Sequence, residues 1–314
     1  MILALLYEGV YIAMGKKTKI GIAAVAVGAA AWAGSKALVT VQPRPRKTAI
    51  EYDRPMILAH RGGSALAPEN TMAAFKKAAS FGVDGYEIDI RLTSDEELIV
   101  FHDEFVDRTT DGAGKVSDLT LDKLRTLDLG YHFEDLEGKN SYRGSNERIV
   151  TLRELLQEFP EMYINIDMKD SPETYEGSLM PSKLWRLIES AGVEDRVGVT
   201  SFFDEQIDRF NLYAQNRVAI GAGENEVRKA FAAFNSQFGH LYKPRADMFQ
   251  IPIRSNGFNL VSPRFIAFLG DLNVPVHYWT IDDPEAMRSL IAAGAKGIIT
   301  DRPDLAAEAL REKE

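Results

Sequence analysis

Cysteine is absent from the 314-residue chain, which excludes disulfides, thiol nucleophiles and thiolate-bound metals. A thiol-free chain tolerates either redox environment, so this absence selects no compartment. Positive charge is in deficit: 37 Lys/Arg against 46 Asp/Glu leave a formal net charge of −9. The basic footprint that backbone phosphates require is missing, and nucleic acid is not expected as a partner. The chain has no low-complexity tract and no sequence repeat. What is present, 45% hydrophobic and 26% charged residues, is ordinary globular composition and sufficient for a large core.

The charge deficit is uneven. Residues 1–54 carry a net charge of +5 and the remainder −14. Lys16, Lys17 and Lys19 precede residues 20–35, a 16-residue uncharged run, and Lys36 follows it. At about 1.5 Å per residue, 16 helical residues span roughly 24 Å, short of the ~30 Å hydrocarbon core of a bilayer. Continued through Val41, with Lys36 snorkelling and Trp32 near an interface, the helix reaches roughly 33 Å. A membrane anchor over 20–41 is the first reading. A cleaved signal peptide, with Ala31-Trp32-Ala33 as the cleavage pattern, is the second, and a buried helix the third. The three lysines before the run place the following domain outside the cytoplasm, either membrane-anchored or secreted. Residues 42–54, with VQPRPRK, read as a linker. Residues 1–19 read as a basic extension whose first 13 residues precede Met14, the expected start.

From Pro55 onward, short apolar runs alternate with helical patterns. Strands are predicted at 56–60, 85–92, 97–102, 162–168, 196–201, 217–222, 247–253, 274–281 and 297–300. Helices are predicted at 69–81, 119–127, 152–159, 182–190, 205–214, 226–238, 263–269 and 284–293. Such alternation gives a parallel α/β domain over 55–314, either a (β/α)8 barrel or a doubly wound sheet. Nine strands is one too many for the barrel. Parallel neighbours need a connection of a dozen or more residues, so 93–97 is a hairpin turn and 98–102 folds back on the second strand. With the turn centred on Asp95-Glu96, His102 is expected opposite Asp89.

Polar residues at the strand ends then acquire meaning. Glu87 and Asp89 alternate with Tyr86, Ile88 and Ile90, so both carboxylates share the inward face. Asp167, in YINIDMK, adds a third, with Lys169 on the same face. Burying three acids together is costly unless a cation compensates them. All-oxygen donors suit Mg²⁺ or Ca²⁺ better than zinc. A salt-bridge cluster with Lys169 and Arg61 is the competing reading. His60 ends the first strand in LAHRGG and His102 ends the hairpin arm in IVFHDE. Barrel enzymes carry their chemistry on this C-terminal rim, and two imidazoles there can serve as general acid and base around an anionic group held by Arg61, Lys169 and the cation. His132, His240 and His277 fall outside the cluster. Tyr131, Phe133, Tyr142 and Arg143 of the loop 129–148, with Phe202, Phe203 and Trp279, are expected to form an apolar mouth or to pack that loop onto the barrel.

The stretch HRGGSALAPENTMAAFKKAASFGVDGYEIDIRLTSDEELIVFHDEFVDRTTDGAGKV resembles the signature region of the glycerophosphodiester phosphodiesterase family. WTIDDPEAMRSLIAAGAKGIITDRPD is similar to that family's last segment and YINIDMK to its central one. The resemblance covers roughly Pro55 to Asp304. It implies a (β/α)8 barrel that hydrolyses glycerophosphodiesters to glycerol 3-phosphate and an alcohol with one Ca²⁺ or Mg²⁺ ion. His60 and His102 match the catalytic histidines, and Glu87 and Asp89 match metal ligands. Arg61 and Lys169 match phosphate-binding positions, and Trp279 a pocket-lining aromatic. Asp167 matches the third ligand, where the family usually has Glu, and its shorter side chain has about one methylene less reach. Glu69, Asn70 and Thr71 match an E-N-T motif, for which helix initiation is the simpler reading. Two alternatives stand beside the main one: lysophospholipase D action at a membrane, and a non-catalytic membrane-tethered barrel that binds phosphodiesters.

Overall fold

The computed structural model describes residues 32, 34–255 and 257–311. Met56–His60 (β1), Gly85–Leu92 (β2), Tyr163–Met168 (β4), Val197–Thr200 (β5) and Ala219–Ile220 (β6) are parallel. So are Phe249–Ile251 (β7), Val276–Tyr278 (β10) and Gly297–Thr300 (β11). Their order is β6-β5-β4-β2-β1-β11-β10-β7. A parallel bridge from Gly221 to Met248 joins the two ends, with the Asp247 N–H donating to the Ile220 carbonyl at 2.8 Å. Eight strands thus form the ring of a (β/α)8 barrel.

Leu98–Val100 (β3) is antiparallel to β2, as a connection of this length demands. Its register differs from expectation by one residue. Ile90 faces Val100 and Leu92 faces Leu98, so Asp89 lies opposite Phe101, not His102. Thr93 and Glu97 close a three-residue loop, with Glu96 in the left-handed region (φ 62°), where a two-residue turn had been expected.

The two faces of β2 divide as alternation requires. Tyr86, Ile88 and Ile90 pack outward, Tyr86 meeting Phe75 at 4.9 Å and Phe159 at 5.1 Å between ring centroids. Inward, the lower barrel is filled by Met56, Leu58, Tyr163, Ala219 and Ile299. Above them Asn165 and Gln250 exchange side-chain amide hydrogen bonds at 2.9 Å. His277 is buried beside Gly297, where a Cβ would lie 2.8 Å from the imidazole ring, and desolvation lowers its pKa to about 4. It is a core residue, away from the other histidines.

Helix boundaries show where propensity was overridden. The first barrel helix spans Met72–Ala79, not 69–81, because Asn70 is left-handed (φ 59°) and Thr71 is the N-cap. The fourth, predicted at 182–190, is Tyr175–Ala191 and contains Pro181. Proline removes the donor that would reach the Gly177 carbonyl. The Gln206 side-chain amide supplies it instead at 2.9 Å, a compensation from a distant element that no local pattern reveals. A small hairpin, Arg254–Ser255 (β8) with Phe258–Asn259 (β9), and the helix Pro303–Leu310 were not anticipated.

The segment read as a linker is packed against the barrel's N-terminal end. Arg44 pairs with buried Asp247 at 2.6 Å, and its N–H donates to the Leu272 carbonyl. The turn Thr48–Ile50 buries Ala49 among the lower barrel residues. Upstream, the Trp32 indole donates to the Gln237 carbonyl and Ser35 bonds His240. The helix over residues 34–38 ends there, and residues 39–41 are not helical. Among the described residues no helix is long and apolar enough to cross a membrane. Residues 1–31, which hold most of the anchor or signal reading, lie outside the described residues.

Removing this plug leaves Asp247 buried without its cation and opens the barrel floor. A chain beginning at Pro55 is expected to melt at least about 5 °C below one beginning at Pro43. Equal melting temperatures would show that residues 43–54 contribute nothing.

Candidate active site

The H-R-G-G turn after β1 reverses the chain through three consecutive left-handed residues, Arg61 (φ 52°), Gly62 (φ 84°) and Gly63 (φ 90°). Glycine is required twice, since a Cβ on Gly62 would meet Phe75 at 2.9 Å and one on Gly63 would meet Pro303 at 2.8 Å. This turn sets His60 and Arg61 on the rim. Register supplies the rest, pairing His60 with Glu87 and Asp89 with Asp167 on adjacent strands. One ligand oxygen from each of Glu87, Asp89 and Asp167 lies within 4.8 Å of the others, and all three residues are buried.

Two cations serve these three acids. Lys169 lies 2.6 Å from Asp167 and 2.9 Å from Asp89, while Arg61 Nε approaches Asp89 at 3.3 Å. Both elements of the competing salt-bridge reading are therefore present, but they leave Glu87 out. Glu87 Oε2 has no hydrogen-bond partner, and the nearest basic atom is His60 Nε2 at 3.7 Å. Burial and the neighbouring Asp89 push the Glu87 carboxyl up to about 7. Burial also raises Asp167, against the pull of Lys169. For Asp89 the burial cost is outweighed by Lys169 and Arg61, which hold it below its ordinary value. An orphaned buried carboxylate beside two others is a donor set that fits a hard divalent cation.

Each histidine is backed by an acid on Nδ1. His60 bonds Asp301 at 2.6 Å and His102 bonds Asp103 at 2.6 Å, leaving each Nε2 to exchange protons. Their surroundings differ. Burial lowers the His60 pKa, but Asp301 and Glu87 outweigh it and hold the group above its ordinary value. His102 is held below, since burial there is reinforced by Arg61 and Lys169 and only partly opposed by Asp89. Arg108 donates to Asp103 at 2.5 Å and thus shares the acid behind His102. The same guanidinium reaches both oxygens of Glu69, at 2.7 and 2.8 Å, and Glu69 also accepts from Arg61 at 3.0 Å. Glu69 therefore braces the rim instead of opening a helix, whose first turn is capped by Thr71, accepting from the Ala74 N–H, and by Glu147, accepting from the Ala73 N–H.

Asp103, Arg108 and Asp301 were not singled out from sequence. Asp103 and Asp301 lay inside recognised stretches, H-D and T-D-R-P, so their motif positions were the available signal. Arg108 had none.

A cavity of about 310 Å³ opens above this cluster. His60, Arg61, Glu87, His102, Asp167 and Lys169 line it. Phe202, Val227, Leu260 and Trp279 add apolar surface to the same lining. Asp89 lies beneath, almost fully buried. Of the aromatics expected at the mouth, only Phe202 and Trp279 line the cavity. The Arg143 guanidinium sits over the Tyr131 ring at 4.5 Å and Phe133 meets Tyr142 edge to face at 5.4 Å, so the loop 129–148 packs upon itself.

Residues 60–305 match the glycerophosphoryl diester phosphodiesterase family. The chain is 34% identical over 258 residues to a glycerophosphodiester phosphodiesterase of Caldanaerobacter subterraneus subsp. tengcongensis, covering 79% of this chain and 95% of that one. It superposes on a glycerophosphodiester phosphodiesterase from Agrobacterium tumefaciens with a TM-score of 0.64 at 25% identity, covering 81% of this chain and 99% of that one. A phosphodiesterase of Oleispira antarctica, solved with its product sn-glycerol-3-phosphate, superposes with a TM-score of 0.66 at 23% identity, covering 82% and 96%. The chain belongs to the glycerophosphoryl diester phosphodiesterase family, a family of hydrolases.

Proposed function

We propose that this chain hydrolyses glycerophosphodiesters to glycerol 3-phosphate and an alcohol, with one Ca²⁺ or Mg²⁺ ion held by Glu87, Asp89 and Asp167. The observation that carries the reading is the pairing of two carboxylate-backed imidazoles with three converging acids, one of which, Glu87, pairs with neither Lys169 nor Arg61. The names of the relatives and the product complex of the Oleispira enzyme support the substrate class. A bound cation would neutralise developing charge on the phosphate oxygens.

The remaining roles fall to the chain's own groups. Arg61 and Lys169 border the cavity where the phosphate would lie, and Trp279 borders the adjoining substrate moiety. His102 faces an acid already shared with Arg108, with Lys169 and Arg61 nearby, so it is the side chain suited to accept the proton of the attacking hydroxyl through Nε2. His60 faces two carboxylates, which favour its imidazolium, so it is suited to protonate the departing alkoxide. The attacking hydroxyl is either the neighbouring one on glycerol or water.

The test is release of glycerol 3-phosphate from glycerophosphocholine, read by a coupled enzyme. Activity is expected to vanish in EDTA and return with Ca²⁺ or Mg²⁺. Full turnover in EDTA would remove the metal from the proposal, and no turnover with any cation would remove the reaction.

A further inference from the structure

The cavity wall is built from two chemically different sets of residues, and the phosphodiester has two different substituents to place against them. One set is the carboxylates, the histidines, Arg61 and Lys169. The other, the apolar stretch of wall, presents Phe202, Val227, Ile251, Leu260 and Trp279, with Glu224 also in the lining. A glycerol moiety needs partners for two hydroxyls, which the charged set supplies in density. The apolar stretch is left to the other alcohol.

Three features of that wall point to a particular class of alcohol. Phe202 is 56% exposed, a large apolar ring left open at the rim of a cavity. It meets Trp279 edge to face, with centroids 5.9 Å apart at 75°, so the two rings form an aromatic corner. Glu224 adjoins this corner, since its backbone N–H donates to the Phe202 carbonyl at 3.3 Å. Aromatic faces beside a carboxylate attract organic cations, above all methylated ammonium groups too poorly hydrated to prefer water. A cation is already within that range, because Lys169 Nζ lies 5.5 Å from the Phe202 ring. That ammonium is neutralised by Asp89 and Asp167, and Glu224 in turn pairs with Arg228 at 2.6 Å on its exposed side.

We propose that the Phe202–Trp279 corner with Glu224 is the subsite for the leaving alcohol, and that it selects a quaternary ammonium alcohol such as choline over a polyol. This rests on the hydrolytic reading above and adds the identity of the headgroup to it.

The experiment compares kcat/KM of the metal-supplemented full chain for glycerophosphocholine, glycerophosphoethanolamine and glycerophosphoglycerol. It is repeated with Phe202→Ala, Phe202→Leu and Glu224→Gln. The choline diester is expected to be favoured over the glycerol diester by about tenfold, with ethanolamine between them. Phe202→Leu keeps apolar area and removes the π face, so it is expected to lower the choline-to-glycerol ratio about fivefold, mainly through KM. Phe202→Ala lowers it at least as far, and Glu224→Gln lowers it less. A wild-type ratio near one, or a ratio unchanged in Phe202→Leu, overturns the headgroup assignment while leaving the hydrolase intact. Absence of turnover on all three diesters by the folded wild-type chain overturns the reaction itself, and this assignment with it.

Discussion

Replacing His102 by Ala is expected to lower kcat for glycerol 3-phosphate release by about 10²–10⁴, with KM little changed, and His60→Ala by a similar factor. Each ring is fixed by a short Nδ1 bond to an acid, and each lines the cavity together with Glu87 and Asp167. Both rings stand on the cavity and not in the hydrophobic core, so thermal melts of both variants should stay close to wild type. Asp301→Asn supplies the control for positioning. It keeps the shape of the bond to His60 Nδ1 but removes the charge that favours the imidazolium, so kcat should fall less than in His60→Ala. The loss should grow toward high pH, where His60 deprotonates earlier. Initial-rate kinetics across pH 5–9 check all three. Near wild-type kcat in either histidine variant would refute acid/base catalysis by this pair.

The second large effect is expected at Glu87. Glu87→Gln should weaken Ca²⁺ or Mg²⁺ binding by at least about 100-fold in a calorimetric titration, because it deletes the one carboxylate of the triad that pairs with neither Lys169 nor Arg61. Stability of the metal-free protein should move the other way. The folded-state pKa of Glu87 lies near 7, above the ordinary glutamate value, so the unfolded chain releases this proton first as pH rises. The stability tied to Glu87 is therefore complete below pH ~4.5 and lost as pH climbs through about 7. Glu87→Gln escapes that loss. Its melting temperature in EDTA should equal that of wild type at pH 5 and exceed it at pH 8. Asp89→Asn should behave oppositely, destabilising at both pH values, since Lys169 and Arg61 would lose their shared partner. Unchanged metal affinity in Glu87→Gln would move the cation elsewhere or remove it.

Much of the barrel was legible because its signals are local. Strand alternation placed Glu87 and Asp89 on one face, and a five-residue connection can only be a hairpin. Matching strand ends put Asp167 beside Asp89, as the register has it. Signals that depend on partners distant in sequence were not legible. The helix containing Pro181 is completed by Gln206, 25 positions later, and the loop 129–148 satisfies its aromatics internally instead of reaching the cavity. The one-residue slip of the hairpin followed from the backbone conformation of Glu96, which residue type does not dictate.

The sequence by itself determined the fold class, the inward carboxylates and the two strand-end histidines, because each follows from side-chain periodicity along a single strand or its terminus. Tertiary structure decided how those groups are compensated. It set Asp301 behind His60 and Arg108 between Asp103 and Glu69, left Glu87 paired with neither Lys169 nor Arg61, and folded residues 44–50 into the floor of the barrel. Charge compensation depends on distances of a few ångströms between residues as much as 241 positions apart, and only the closed barrel brings them to that range.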